Sequence, residues 1–348
     1  SASPTPDLPP TMSVTSLTPA APPSAHSAGG ASPDVVLFGE AMVLLIADRP
    51  GPLEDAQAFT KRIAGAEINV AIGLSRLGFQ VGWASRLGDD SMGRYLLAEM
   101  RSEGVDCSRV VSDATQRTGF QFKGRVTDGS DPQVEYHRKG SAASQFEPGQ
   151  IDEPWLASAR HLHATGVFAA ISATSLATAR RTLQVARAAG RTISFDPNLR
   201  PTLWPSTEAM REAINGLAAQ ADWVLPGLAE GELLTGRTTP EGVARFYLDQ
   251  GAKLVVVKLG ADGAYFEGTH QGLAVAGYAP GFPVQQVIDT VGAGDGFAVG
   301  VISALLEGRS IDEAVRRACW IGARQVQVLG DSEGLPTRTE LHALEATA

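Results

Sequence analysis

The sequence predicts one large α/β domain: a mostly parallel sheet covered by helices on both faces, with a small β excursion. Three observations carry this. Short apolar runs alternate with helix-spaced segments along most of the chain, and strands joined by helical crossovers run parallel. Residues 117–138 break that rhythm. Gly119 to Val126 and Gln133 to Arg138 alternate in polarity around a turn-rich stretch at 127–132, the pattern of an antiparallel hairpin. Third, 348 residues with 43% hydrophobic and 19% charged side chains make an ordinary globular composition with ample core.

The first 33 residues differ from the rest: they hold 8 of the 21 prolines and 7 serines, with no Lys or Arg. Such a segment buries too little apolar surface to offset its ordering entropy, so disorder is expected over 1–33. It lacks the basic and apolar regions of a secretory signal and the arginines of a transit peptide. The folded domain is expected over 34–348. Val35, Val36, Leu37 and Phe38 form a buried strand ended by Gly39-Glu40. The first arm of the excursion is expected near 42–64. A helix follows over 67–77, stopped by Gly78. Residues 80–84 give a strand and 92–102 a helix closed by Gly104. Beyond the hairpin, strands are expected at 161–163, 192–195, 223–225 and 254–257, with helices at 173–189, 207–219 and 240–250 between them. Residues 265–266 and 273–276 form one more hairpin, and helices over 296–306, 311–328 and 337–345 complete the chain.

The chemistry concentrates in Val287-Ile-Asp-Thr-Val-Gly-Ala-Gly-Asp-Gly-Phe297. A short strand ending at Asp289 is expected, then a turn at Gly292-Ala293-Gly294, then a helix. Unpaired N–H groups of a glycine turn at a helix N-terminus bind anions. Asp295 lies in that first turn, where a carboxylate can take the proton of a hydroxyl attacking a bound phosphoryl group. Alone, a Gly-x-Gly-Asp is first of all a helix cap, and other loops must tip the balance. No Walker loop, no dinucleotide glycine fingerprint and no protein-kinase signature is present.

Those other loops exist. Asp289-Thr-Val-Gly-Ala-Gly-Asp-Gly-Phe297 resembles the C-terminal signature of the PfkB (ribokinase-like) sugar kinases. Ala64-Gly65-Ala66-Glu67-Ile68-Asn69-Val70-Ala71 is similar to their N-terminal one, and Arg86-Leu-Gly-Asp-Asp-Ser-Met-Gly93 to a third stretch. Within the family, Tyr136-His-Arg-Lys-Gly-Ser-Ala-Ala-Ser144, Phe195-Asp-Pro-Asn-Leu-Arg-Pro-Thr-Leu-Trp204 and Pro226 to Gly236 resemble the 2-keto-3-deoxygluconate kinases. The resemblance implies a ribokinase-like doubly wound sheet with a small β-sheet lid, ATP and Mg²⁺, and phosphorylation of a primary hydroxyl of a sugar acid. It makes Asp295 the general base and Gly292, Ala293 and Gly294 the anion hole. It assigns the nucleotide to Lys258, Gly260, Asp262 and Gly263, with Asn198, Arg200, Gln325 and the glycine turn beside them. It leaves Glu230 an indirect part in handling the metal. Many relatives carry Asn where this chain has Gly227, which weakens transfer of that amide's role.

The acceptor pocket is expected from Gly65, Ala66, Glu67, Ile68 and Asn69, from Tyr136 and Arg138 on the lid, and from Arg200; the resemblance adds Phe122 on the lid and Asp331. Tyr136 and Arg138 alternate, so they share one face. Arg200 follows a strand at the carboxyl end, where α/β sheets bind ligands. Two arginines suit a carboxylate. Two other readings stay open: a fructokinase- or ribokinase-type kinase of a neutral sugar, and a catalytically silent nucleotide-sensing protein. The arginine pair speaks against the first, the intact Asp295 and glycine turn against the second. His161, His163 and Glu40 have no partner at metal-ligand spacing and are expected to be structural.

A net charge of −9 argues against nucleic acid as partner, since such binding runs on basic surface. No stretch approaches the ~20 apolar residues of a membrane helix. Two cysteines make no disulfide framework, and a reducing cytoplasm is the simplest setting. Assembly into a homo-oligomer is left open.

Overall fold

The computed structural model describes residues 32–127 and 132–345. The expected disorder of 1–33 lies outside the described residues except at 32 and 33, as does most of the lid turn at 127–132.

Nine strands form the large sheet: β1 (Val35–Phe38), β4 (Val81–Gly88), β5 (Asp106–Asp113), β8 (His161–Thr165), β9 (Thr192–Asp196), β10 (Trp223–Val224), β11 (Leu254–Lys258), β12 (Ala264–His270) and β13 (Leu273–Ala279). Their order is β13-β12-β11-β10-β9-β8-β1-β4-β5. All pairs are parallel except β11–β12 and β12–β13. Successive strand residues point to opposite faces, and the cores divide accordingly. Val35, Leu37, Leu254 and Val256 enter one hydrophobic core; Val36, Phe38, Val255 and Val257 enter the other. The first core is closed by α1 (Ala66–Arg76), α2 (Ser91–Ser102), α9 (Ala293–Leu306), α10 (Ile311–Gln325) and α11 (Arg338–Glu345). The second is closed by α3 (Glu153–Ser158), α4 (Gly166–Ala170), α5 (Ala173–Ala188), α6 (Thr207–Ala218), α7 (Leu228–Thr235) and α8 (Pro240–Asp249).

The excursion is a separate four-stranded sheet. It contains β2 (Met42–Ala47), β3 (Phe59–Ala64), β6 (Phe120–Lys123) and β7 (Val134–His137), in the order β3-β2-β6-β7. Phe59, Phe120, Phe122 and His137 cluster through ring contacts.

Helix α9 lies between α1 and α10 at close range. A side chain at Gly73 of α1 would run into Val299 of α9, and one at Gly300 of α9 would run into the backbone of Ala318 in α10. Backbone cannot swing aside as a side-chain tip can. Gly300→Ala is therefore expected to destabilise by about 3 kcal/mol, the upper part of the overpacking range. Urea unfolding measures it, and an unchanged midpoint would refute the close approach.

The structure differs from expectation at a few places. Val287–Asp289 is not a strand. Val287 and Ile288 are about half exposed, and the backbone N–H groups of Ile288 and Asp289 both reach one carbonyl, that of Val326, so no ladder forms. Strand β5 and helices α3, α4 and α7 were not anticipated.

Candidate active site

The carboxyl ends of the parallel strands converge where strand order reverses beside β1, the usual ligand crevice of doubly wound sheets. Glu40 follows β1, Thr165 and Asp196 end β8 and β9, and Lys258 ends β11. The inner face of the lid and the start of α9 complete a cavity of about 330 Å³.

At its centre is Asp295, buried in the first turn of α9. The Asn69 side-chain amide donates to its Oδ2 at 2.7 Å and that of Asn198 to its Oδ1 at 3.3 Å. Burial pushes the carboxyl up to about 6; Asp196 adds to the rise, while the Asn69 bond, Lys258 and Arg200 oppose it. Asn198 has a positive φ of 39°, a conformation uncommon outside glycine and worth a look at a site. Gly292 caps α9 with φ +80°. A Cβ there would fall on the Asp331 carbonyl oxygen, so glycine is required for both reasons. The Lys258 ammonium lies 3.5 Å from where a Gly294 Cβ would stand and bonds Asp196 Oδ2 at 2.6 Å. Burial alone would push that ammonium down; Asp196 and Glu230 hold it above its ordinary value. The N–H groups at the start of α9 and this cation together offer an anion seat beside Asp295.

The lid side is built around Glu40. It accepts from Arg138 Nε at 2.7 Å and from the Ser141 hydroxyl at 2.5 Å. Glu40 was expected to be only structural; it lines the cavity and orients Arg138. Glu67 accepts from the Thr165 hydroxyl at 2.6 Å, and burial pushes it up to about 7. Asp331 is likewise pushed up to about 7 by burial.

Of the expected residues, the cavity gathers Gly65, Ala66, Glu67, Asn69, Tyr136, Arg138, Asn198, Arg200, Glu230, Lys258, Gly292, Gly294, Asp295 and Asp331. Ala293 lies inside the turn between the two lining glycines. Six other expected residues are not part of its lining. Ile68 is fully buried in the first core, so only its backbone can serve. Phe122 does not line the cavity; strand alternation turns it into the aromatic cluster, and its neighbour Gln121 lines the cavity instead. Gln325 is fully buried and clamps a loop, donating to the Gly330 carbonyl and accepting from the Gly334 N–H. Gly260, Asp262 and Gly263 do not line this cavity either. They form a tight turn packed on residues 279–281. Asp196 and Gln121 were missed as site residues. The strand-end rule that found Arg200 also points to Asp196, whereas the inward phase of β6 has no signal in a four-residue strand.

His161 and His163 are buried and share the Ser194 hydroxyl, a core network. Among the described residues, no group of three His, Cys, Asp or Glu side chains is arranged to hold a metal. Both Glu230 oxygens are taken by backbone N–H groups, of Leu199 and Gly227. That donor set fits Mg²⁺ carried by phosphates and water, with Asp196 and Glu230 nearby, rather than a protein cage. Among the described residues, no helix is long and apolar enough to cross a membrane.

The profile of the pfkB family carbohydrate kinases matches residues 32–338. A Bacillus subtilis (strain 168) protein named 2-dehydro-3-deoxygluconokinase is 50% identical over 310 residues, covering 88% of this chain and 94% of its own. A solved PfkB protein from Polaromonas sp. JS666 is 68% identical, with a TM-score of 0.82, over 90% of this chain and 100% of that one. A candidate Ribokinase II from E. coli, solved in complex with ATP and Mg²⁺, is 25% identical with a TM-score of 0.82, over 91% and 100%.

Proposed function

This chain belongs to the pfkB family of carbohydrate kinases, and on that premise we propose that it transfers the γ-phosphoryl group of ATP to the primary hydroxyl of 2-keto-3-deoxygluconate. One observation carries the substrate class. Four buried acceptor atoms of the cavity, Asn69 Oδ1, Gln121 Oε1, Asn198 Oδ1 and Asp331 Oδ1, have no hydrogen-bond partner among the described residues. Buried polar atoms are rarely left so. A ligand rich in hydroxyl donors satisfies them, and Arg200 and Arg138 at the same cavity suit its carboxylate. Arg138 spends Nε and Nη2 on Glu40, so Arg200, exposed and bonded among the described residues through Nη1 to the Leu199 carbonyl, is the freer of the two.

In this reading, Asn69 and Asn198 hold both oxygens of Asp295, so the carboxylate faces the hydroxyl it deprotonates. Excluding water from the pocket sharpens that transfer. The start of α9 and Lys258 bind the phosphoryl oxygens as charge shifts across them. Asp196 and Glu230 lie where they would support Mg²⁺ carried by phosphates and water, which would supply neutralisation of phosphate charge. A cytoplasmic location is part of the proposal, supported by two free, buried cysteines.

The test compares ATP turnover on 2-keto-3-deoxygluconate, fructose and ribose. The sugar acid is expected to be much the best. A charge-assisted hydrogen bond contributes ~1.5–3 kcal/mol, so Arg200→Ala should lower kcat/KM on the sugar acid roughly 10–100-fold. Any residual activity on a neutral sugar should change far less. A parent enzyme that prefers fructose would replace this reading with a neutral-sugar kinase. Equal losses on both sugars would move Arg200 to the phosphates.

A further inference from the structure

We propose that Lys123 is a positioning residue: carried on the lid, its ammonium clamps the two segments that flank the Gly292 turn and so sets the anion hole. The inference rests on the reading that this turn receives the transferred phosphoryl group.

Lys123 lies in β6 and its side chain is 2% exposed. A lysine so buried is kept only where partners compensate its lost hydration. Here both partners belong to the body of the protein. The ammonium pairs with Asp289 and lies 3.9 Å from Asp331 Oδ1. Asp289 precedes Gly292 by three residues, and its Oδ1 accepts the Val291 N–H at 3.1 Å. The carboxylate that takes the lysine therefore also shapes the entry to the turn. Asp331 presses on the turn from the other side, its carbonyl oxygen occupying the space a Gly292 Cβ would need. Lys123, Asp289, Gly292 and Asp331 thus form a continuous chain of contact from the lid to the anion hole. Gln121, two residues earlier on the same face of β6, lines the cavity, so the strand that meets the sugar also fixes the loop that meets the phosphate.

Lys123→Met keeps the stem and removes the charge. A displacement of about 1 Å at the reacting centre costs on the order of 100-fold, and a loss of that size is expected in kcat. KM for the sugar should move less than kcat, because Asn69, Tyr136, Arg138 and Arg200 remain and only Asp331 loses a neighbouring cation. Amide hydrogen exchange over 289–294, measured without ligands, should speed up in this variant. Because the single variant strands a buried carboxylate, Lys123→Met/Asp289→Asn is made beside it. That pair should regain thermal stability and keep the low kcat. Recovery of kcat with stability would overturn the clamp and reduce Lys123 to neutralising a buried acid. So would parent-like kcat and unchanged exchange in the folded single variant. A parent enzyme that phosphorylates no sugar would sink the functional reading, and the exchange result would then judge the clamp by itself.

Discussion

Asp295→Asn is expected to lower kcat by about 10²–10⁴-fold with the fold intact, the usual cost of removing a general base. The amide cannot take the hydroxyl proton. It also turns an NH₂ toward Asn69 or Asn198, both of which now donate to the carboxylate. The parent enzyme should reveal the same group by its pH profile. Burial raises the Asp295 carboxyl to about 6, and only its ionised form is a base. Activity should therefore be full above that pH and fall as pH drops through about 6. The measurements are kcat against pH and a thermal melt. Near-normal turnover in a folded variant would reduce Asp295 to a helix-end residue.

Gly292→Ala is expected to cost about 10²–10³-fold in kcat, the range for losing an oxyanion-hole donor. Two penalties act together. A Cβ at φ +80° enters the left-handed region at roughly 1–2 kcal/mol. It also lands on the Asp331 carbonyl, so the turn must open and its N–H groups must re-aim. Gly308→Ala is the control. It carries the same left-handed strain, at φ +75°, but no described atom lies within 4 Å of its added Cβ and it lies outside the cavity, so its effect on kcat should be much smaller. Equal effects at the two positions would mean that the loss reflects glycine content rather than the Gly292 geometry.

The sheet was legible in the sequence because its strands are apolar on both sides, as Val35–Phe38 shows by feeding both cores. Apolar character alone misled at Val287–Asp289, where Val287 and Ile288 stay half exposed and no ladder partner is found. Asp295 and the glycine turn could be read because they are consecutive. Phe122 shows a different limit: alternation tells which residues share a face, not which face meets the body. Gln325, a position carried over from relatives, holds a loop here. Lys123 and Asp289 are 166 residues apart, and nothing local marks either as the other's partner.

The bond from Asn69 to Asp295 spans 226 residues, and α1 reaches α9 with Gly73 against Val299. This has a consequence during synthesis. A nascent chain that has already made its lid, its Asn69 helix and most of its large sheet still lacks both base and anion hole. It also leaves the first core open until α9 emerges to fill it. Such long-range closure is slow and exposes apolar surface meanwhile. Phosphoryl transfer is therefore out of reach of every unfinished chain that ends before α9, and competence arrives together with the burial that completes the fold.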